Sequence, residues 1–151
     1  MIDTLSHNTK LRLTPTLHSL TVAFTVRFSQ PTINVGTHNV FLFDTIVTNI
    51  GGGYNAHTGL FTAPVTGVYV FSLSLMGTND HGELNVAVDK HGSTLAILYT
   101  EGRGDRYDQG STEVSAHLTA GEQVWVRHNQ GDTYVAGTWW TVFTGYLLQA
   151  D

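Results

Sequence analysis

Between Arg127 and Trp140 the chain reads RHNQGDTYVAGTWW, a segment whose side chains could recognise a sugar. Tyr134, Trp139 and Trp140 offer flat apolar faces for the C–H face of a pyranose ring, and Arg127, His128, Asn129, Asp132 and Thr138 offer donors and acceptors for its hydroxyls. Arg127 or His128 could also meet the carboxylate of an acidic sugar through charge-assisted hydrogen bonds. Loops carried on a rigid scaffold are where binding groups tend to sit. The competing reading places a tryptophan in the core or in a subunit interface. Neighbouring side chains on a strand face opposite ways, so one of Trp139 and Trp140 is expected to be buried and the other exposed.

A second segment, EGRGDRYDQG from Glu101 to Gly110, holds the densest charge. Its plain reading is a solvated loop with exposed ion pairs that contribute little. Arg103, Gly104 and Asp105 also form the tripeptide that integrins read in cell-attachment proteins. There a guanidinium and a carboxylate flank a flexible glycine and can span a receptor's carboxylate and metal ion. So short a motif also arises by chance. The eight histidines show no spacing that would put two of them on one metal. They read as surface residues in turns, with His117 pointing outward from a strand. Imidazoles near a subunit axis would make assembly acid-sensitive.

Catalysis is not expected. The chain has no G-x-S-x-G elbow, P-loop, H-E-x-x-H or dinucleotide-binding glycine motif. It has no cysteine, which removes thiol catalysis, disulfides and Cys-type zinc sites together. The formal charge of −5, with no basic stripe, argues against nucleic acid and against anionic membranes as partners. No stretch approaches membrane-spanning length. No N-x-[ST] acceptor occurs, and the opening MIDTLSHNTKLRLT lacks the apolar core of a secretory leader.

The elements that must carry these segments are strands. GVYVFSLSL, Gly67 to Leu75, alternates strictly, with Tyr69, Phe71, Leu73 and Leu75 on one face and Val68, Val70, Ser72 and Ser74 on the other. That period of two marks a strand with one face in a core. Val22, Phe24, Val26 and Phe28 alternate likewise until Gln30-Pro31 breaks the run. Short strand-like runs separated by Gly-rich turns argue for an all-β sandwich or barrel. Residues 1–20, with Pro15 and no clean period, read as an N-terminal arm or linker, and residues 21–151 as one globular domain.

Phe43, Asn49, Tyr54, Phe61, Gly67, Tyr69 and Phe71 carry a spacing that closely resembles the signature of the complement C1q globular-head family; Leu73 stands where that signature has Phe or Tyr. LNVAVDKHGSTLAIL, YDQGSTEVSAHLTAGEQVWVR and FTGYLL resemble its later strands, in family order. The resemblance implies a ten-stranded, two-sheet jelly roll similar to the tumour-necrosis-factor fold, assembled as a homotrimer. It also implies calcium at the trimer apex, for which Asp105, Asp108 and Gln109 are the matching candidates. Similarity to stalkless invertebrate members implies a secreted lectin of innate immunity, with sialic acid or other acidic sugars as a ligand class. Two alternatives remain beside it: a receptor-binding or adhesive ligand, and a structural matrix module. The signature aromatics Tyr54, Phe61, Tyr69 and Phe71, together with Phe143, are expected in the core or an interface. Gly67 and Gly145 are expected where backbones approach closely.

Overall fold

A computed structural model describes residues 20–78, 81–104 and 106–151. The arm expected over residues 1–20 therefore lies almost wholly outside the described residues, as does Asp105. Twelve strands form two sheets, every pairing is antiparallel, and no helix occurs among the described residues. In chain order the strands are β1 (Ala23–Arg27), β2 (Thr32–Asn34), β3 (Thr45–Ile50), β4 (Tyr54–Asn55), β5 (Leu60–Thr62), β6 (Gly67–Gly77), β7 (Gly82–Lys90), β8 (Ser93–Gly102), β9 (Asp108–Leu118), β10 (Gln123–Gly131), β11 (Tyr134–Ala136) and β12 (Val142–Ala150). The all-β two-sheet architecture is the expected one. The strand count exceeds the expected ten because two- and three-residue ladders such as β4 and β11 form strands of their own.

Strand β6 organises the seven-stranded sheet. β9 runs along one side of it and β12 along the other, followed outward by β1 and β3. Where β12 has not yet begun, the short β11 pairs with Gly77 and carries β2 at the edge. The second sheet has the order β4-β5-β10-β7-β8. Tyr69, Phe71, Leu73 and Leu75 point between the sheets and are buried, as their alternation requires. Phe24 stacks on Phe61 at 4.9 Å and meets Phe143 edge-on at 5.1 Å, so rings from both sheets interlock. Offset and edge-on pairs of this kind add to the plain burial of apolar area.

Two signature residues act on one turn. Asn49 accepts from the Tyr54 N–H (3.1 Å) and donates to the Tyr54 carbonyl (2.9 Å), clamping the Gly51–Gly53 turn. The Tyr54 hydroxyl donates to the Phe43 carbonyl inside the core (2.8 Å). Both groups would otherwise be buried without partners, a cost of about 1–3 kcal/mol each.

Register places residues 28–31, 78, 81, 103–104, 106–107, 132–133 and 137–141 at one end of the sandwich. Arg27, Val142, Ser74 and Ser111 lie on one rung beside it. The described termini lie at the other end, where the Asp151 N–H donates to the Thr66 carbonyl and the Leu147 N–H to that of Val22.

Candidate recognition site at the distal end of the sandwich

The segment that the sequence presents as one loop is divided among three places. Arg127 and His128 belong to β10, whose even positions Val124, Val126 and His128 face the core. His128 is 1% exposed. Its Nδ1 accepts from the His38 N–H (3.0 Å), and its Nε2–H faces the carbonyls of Gly131 and Asp132 at 3.1 and 3.0 Å. Both ring nitrogens are taken up by backbone groups and the ring is buried, which corrects the expectation that it meets a ligand.

Arg127 points out of the opposite face of that sheet. Its Nε donates to Asp89 at 2.6 Å, and its Nη1 to the His128 carbonyl and the Asn129 side chain. Asp89 in turn accepts from Thr94, and Asn129 donates to Asn85. Nε and Nη1 of Arg127 are thereby held in a lateral ladder on that face, apart from the exposed tryptophans. Its partner Asp89 lies far away in sequence, so only the fold brings the pair together.

Asp132 and Tyr134 occupy the distal end. Asp132 bonds His81 (3.1 Å) and accepts from the Tyr134 N–H, while the Tyr134 and His81 rings stack at 4.5 Å.

Trp139 and Trp140 lie in the turn between β11 and β12, not in a strand, so strand alternation does not apply to them. Both are exposed, at 73% and 51%, which corrects the expectation of one buried tryptophan. Three bonds make the turn: Gly137 N–H to the Pro31 carbonyl (2.8 Å), Thr138 N–H to that of Gln30 (3.1 Å), and Trp140 N–H to that of Gly137 (3.1 Å). A Cβ at Gly137 would collide with the Gln30 carbonyl oxygen and approach the Phe28 Cβ to 3.2 Å, so only glycine lets these segments close.

Thr141 anchors the turn from below. Its buried hydroxyl accepts from the Met76 N–H (3.2 Å) and donates to the Ala136 carbonyl (2.6 Å). Thr141→Val orphans both groups. It is expected to cost about 2 kcal/mol in denaturant titrations and to speed amide exchange at Trp140.

The guanidinium carbon of Arg27 lies 5.0 Å from the Trp139 ring centroid, a cation–π contact that holds the ring upright. Beside it the Asp44 carboxylate accepts from the Ser29 N–H (2.8 Å) and hydroxyl (2.5 Å). Burial alone would raise this carboxyl, but the hydrogen bonds from Ser29, with those from Asp44's own backbone and Thr45, together hold it below the ordinary carboxylate range. The charged form is the favoured one in the fold. Its stabilisation is therefore complete above the usual carboxylate range and is lost as pH falls through the lowered value. Asp44→Asn should lower the thermal midpoint at pH 7, by an amount worth about 1 kcal/mol after allowance for solvent exposure, and should change little at pH 2.

Trp140 forms one wall of a groove of about 410 Å3. Tyr107 adds a second aromatic; Pro31, Met76 and Ala136 supply apolar surface; Thr32, Thr78 and Thr138 supply hydroxyls. Thr78 is 6% exposed, and its hydroxyl has no partner. Leaving such a group unpaired costs about 1–3 kcal/mol, so its presence at a groove is notable. Sequence reasoning missed Arg27, Met76, Thr78 and Tyr107 because they come from separate strand ends that only topology gathers.

The acidic loop ends at the same pole. Arg103 forms an ion pair with Glu101 across the β8 end, and Gly104 has a positive φ of 59°. The tripeptide's third member, Asp105, lies outside the described residues. Asp108 accepts from the Glu101 N–H (2.7 Å), whereas Gln109, on the other face of β9, reaches Ser74 and the Trp140 carbonyl. These two successive residues do not converge on one ion within a subunit. Among the described residues no three His, Asp or Glu side chains do so.

Comparison with known proteins places this architecture. The family model described as the C1q domain matches residues 23–148. This chain belongs to the C1q domain family. The C1q domain here is 33% identical over 107 residues to human complement C1q tumor necrosis factor-related protein 3, covering 71% of this chain and 44% of that protein. It is 27% identical over 139 residues to zebrafish Caprin-2, covering 89% of this chain and 15% of that one. The chain thus spans less than half the length of these relatives. Among solved structures, the C1q domain is similar to the globular domain of zebrafish complement 1qA protein (TM-score 0.69, 19% identity, 86% of this chain and 99% of that one). It is also similar to the Eiger tumour necrosis factor of S. frugiperda (TM-score 0.74, 13% identity, 87% and 94%). At those identities the likeness is one of fold. These relatives indicate no enzymatic family.

Proposed function

We propose that this C1q domain is a secreted, non-enzymatic recognition protein of innate immunity that binds glycans multivalently as a homotrimer. The observation that carries the reading is the distal end itself. Tyr107, Tyr134, Trp139 and Trp140 are all exposed at that end, remote from the described termini, and Tyr107 and Trp140 line its groove. Folded domains seldom leave large aromatics in contiguous contact with water without a partner. Sugar rings suit them, because a C–H face packs on an aromatic while the perimeter hydroxyls bond polar neighbours.

Support for assembly comes from the outer face of the seven-stranded sheet. Ile50, Ala23, Tyr146 and Val70 lie on one rung of that face, and Ile50 and Tyr146 are exposed. A second copy of the chain would cover this apolar row.

A glycan array run with calcium and with a chelator tests the reading. Among the described residues the groove's lining carries no carboxylate, so binding there is expected to survive chelation. Loss on chelation would move the site to the Asp105–Asp108 loop. A blank array in both conditions would reject the lectin reading in favour of a protein receptor, with Arg103-Gly104-Asp105 the first contact to test.

A further inference from the structure

We infer that Arg27 and Trp139 bind the carboxylate of an acidic sugar, the two Nη groups of the guanidinium donating to the carboxylate oxygens while the sugar ring packs on the exposed indole. The inference rests on the lectin reading and gives its ligand a chemical class. Three observations lead to it.

First, Arg27 is a half-buried cation without a counter-ion. Lys90 pairs with Glu122, Arg103 with Glu101 and Arg127 with Asp89. Among the described residues the Arg27 side chain makes no ion pair and no hydrogen bond; its contact is the Trp139 ring. Asp44, on the same side, is bonded to Ser29 instead. A cation that has already lost part of its water gains more from an anion than a fully exposed one does. Arg106 also has no ion pair among the described residues, but it is exposed.

Second, the free donors of Arg27 meet a notch. Its Nε is closed off and is not offered to a ligand. Neither Nη is closed off in that way, and Arg27 lines a notch of about 90 Å3 with Ser29, Thr45, Thr138 and Trp139. Sites that enclose a whole ligand measure about 300 Å3 or more, so a notch this small takes a single substituent. The Ser29 hydroxyl donates to Asp44 and the Thr138 hydroxyl to the Gly137 carbonyl, which leaves Arg27 as the donor there. The two ends of its planar fork match the two oxygens of a carboxylate.

Third, the notch adjoins the aromatic surface. Trp139 forms one wall of it and is 73% exposed, with the Arg27 guanidinium carbon 5.0 Å from its ring centroid. Thr138 lines both the notch and the groove of Trp140 and Tyr107. A carboxylate in the notch therefore sets its own ring on Trp139 and directs the rest of the glycan toward the groove. Arg127, which the sequence offers for the same task, holds its Nε and Nη1 on another face.

The test follows tryptophan fluorescence and amide shifts of the whole chain during titration with glucuronate, its neutral methyl ester and glucose. Glucuronate is expected to bind about tenfold more tightly than the ester or glucose. Arg27→Gln should erase that preference and leave glucose binding within about threefold. Arg27→Lys keeps the charge, loses the fork and should retain a preference of only about threefold. Trp139→Ala should weaken all three sugars, and Arg106→Gln should change none of them. Acidic glycans should outrank their neutral counterparts on the array. Glucuronate no tighter than its ester, a preference that survives Arg27→Gln or is undiminished in Arg27→Lys, a preference removed by Arg106→Gln, or an array positive for neutral glycans alone overturns the inference while leaving a lectin in place. No response to any sugar, with a blank array, overturns both.

Discussion

Gly145→Ala is expected to cost the domain about 3 kcal/mol, a large share of the stability of a domain of this size. Gly145 sits on β12 opposite Phe71 of β6 and Phe24 of β1. A Cβ there would lie 2.8 Å from Phe24 Cζ and 2.8 Å from Phe71 Cδ1, closer than real side chains approach. Neither ring has room to retreat. Phe24 is packed on Tyr54, Phe61 and Phe143, and Phe71 on Tyr69, Phe61 and Phe143. The strain falls on the rings that join the two sheets, so the loss should appear as a lower denaturation midpoint with little change in slope.

The cause can be separated from a general intolerance of β12. Phe24→Leu removes ring atoms that the new methyl would meet and by itself should cost about 1–2 kcal/mol. Combined with Gly145→Ala it should cost less than the sum, with a coupling of about 1 kcal/mol in the stabilising direction. Strict additivity would place the clash elsewhere, in the backbone of β12.

What the sequence makes legible follows from how local each cause is. The β6 alternation shows Tyr69, Phe71, Leu73 and Leu75 as core because a period of two is a property of the strand alone. The same period, read along Val124, Val126 and His128, places His128 inside and Arg127 outside. Treating the segment as one loop hides that signal. Trp139 and Trp140 mislead for the opposite reason: alternation is applied where β11 has already ended at Ala136 and β12 begins only at Val142. The groove is not legible at all. Met76 is the last residue but one of β6, Thr78 follows that strand, Tyr107 precedes another, and Pro31 lies in the β1–β2 connection. Nothing in their spacing brings them together until the sheet order does. Asp89 and Arg127 are a milder case, since both belong to alternating strands but their pairing depends on the β7–β10 register.

Tyr146→Asp tests the proposed assembly and has the largest expected effect on function. Tyr146 projects from the outer face of the seven-stranded sheet and is 41% exposed, so the substitution does not enter the core. On one rung it neighbours Ala23 and Val70, with Ile50 beyond. A carboxylate repeated in each copy would bring like charges into an apolar contact and remove its burial, which strongly disfavours association. Sedimentation should then show a monomer. Agglutination of glycan-bearing particles should fall by about 10²-fold or more, because linked weak sites depend on effective concentration for their avidity. Affinity for a free monosaccharide should stay within about twofold, since the distal groove lies on other strand ends and keeps all its lining. The thermal midpoint should drop and lose its dependence on protein concentration, as mass action requires when a stabilising partner is removed. A trimer that survives Tyr146→Asp would move the interface off this face. A monomer that still agglutinates would mean that each subunit carries more than one sugar site, for which the Tyr134–His81 stack is the next aromatic surface to remove.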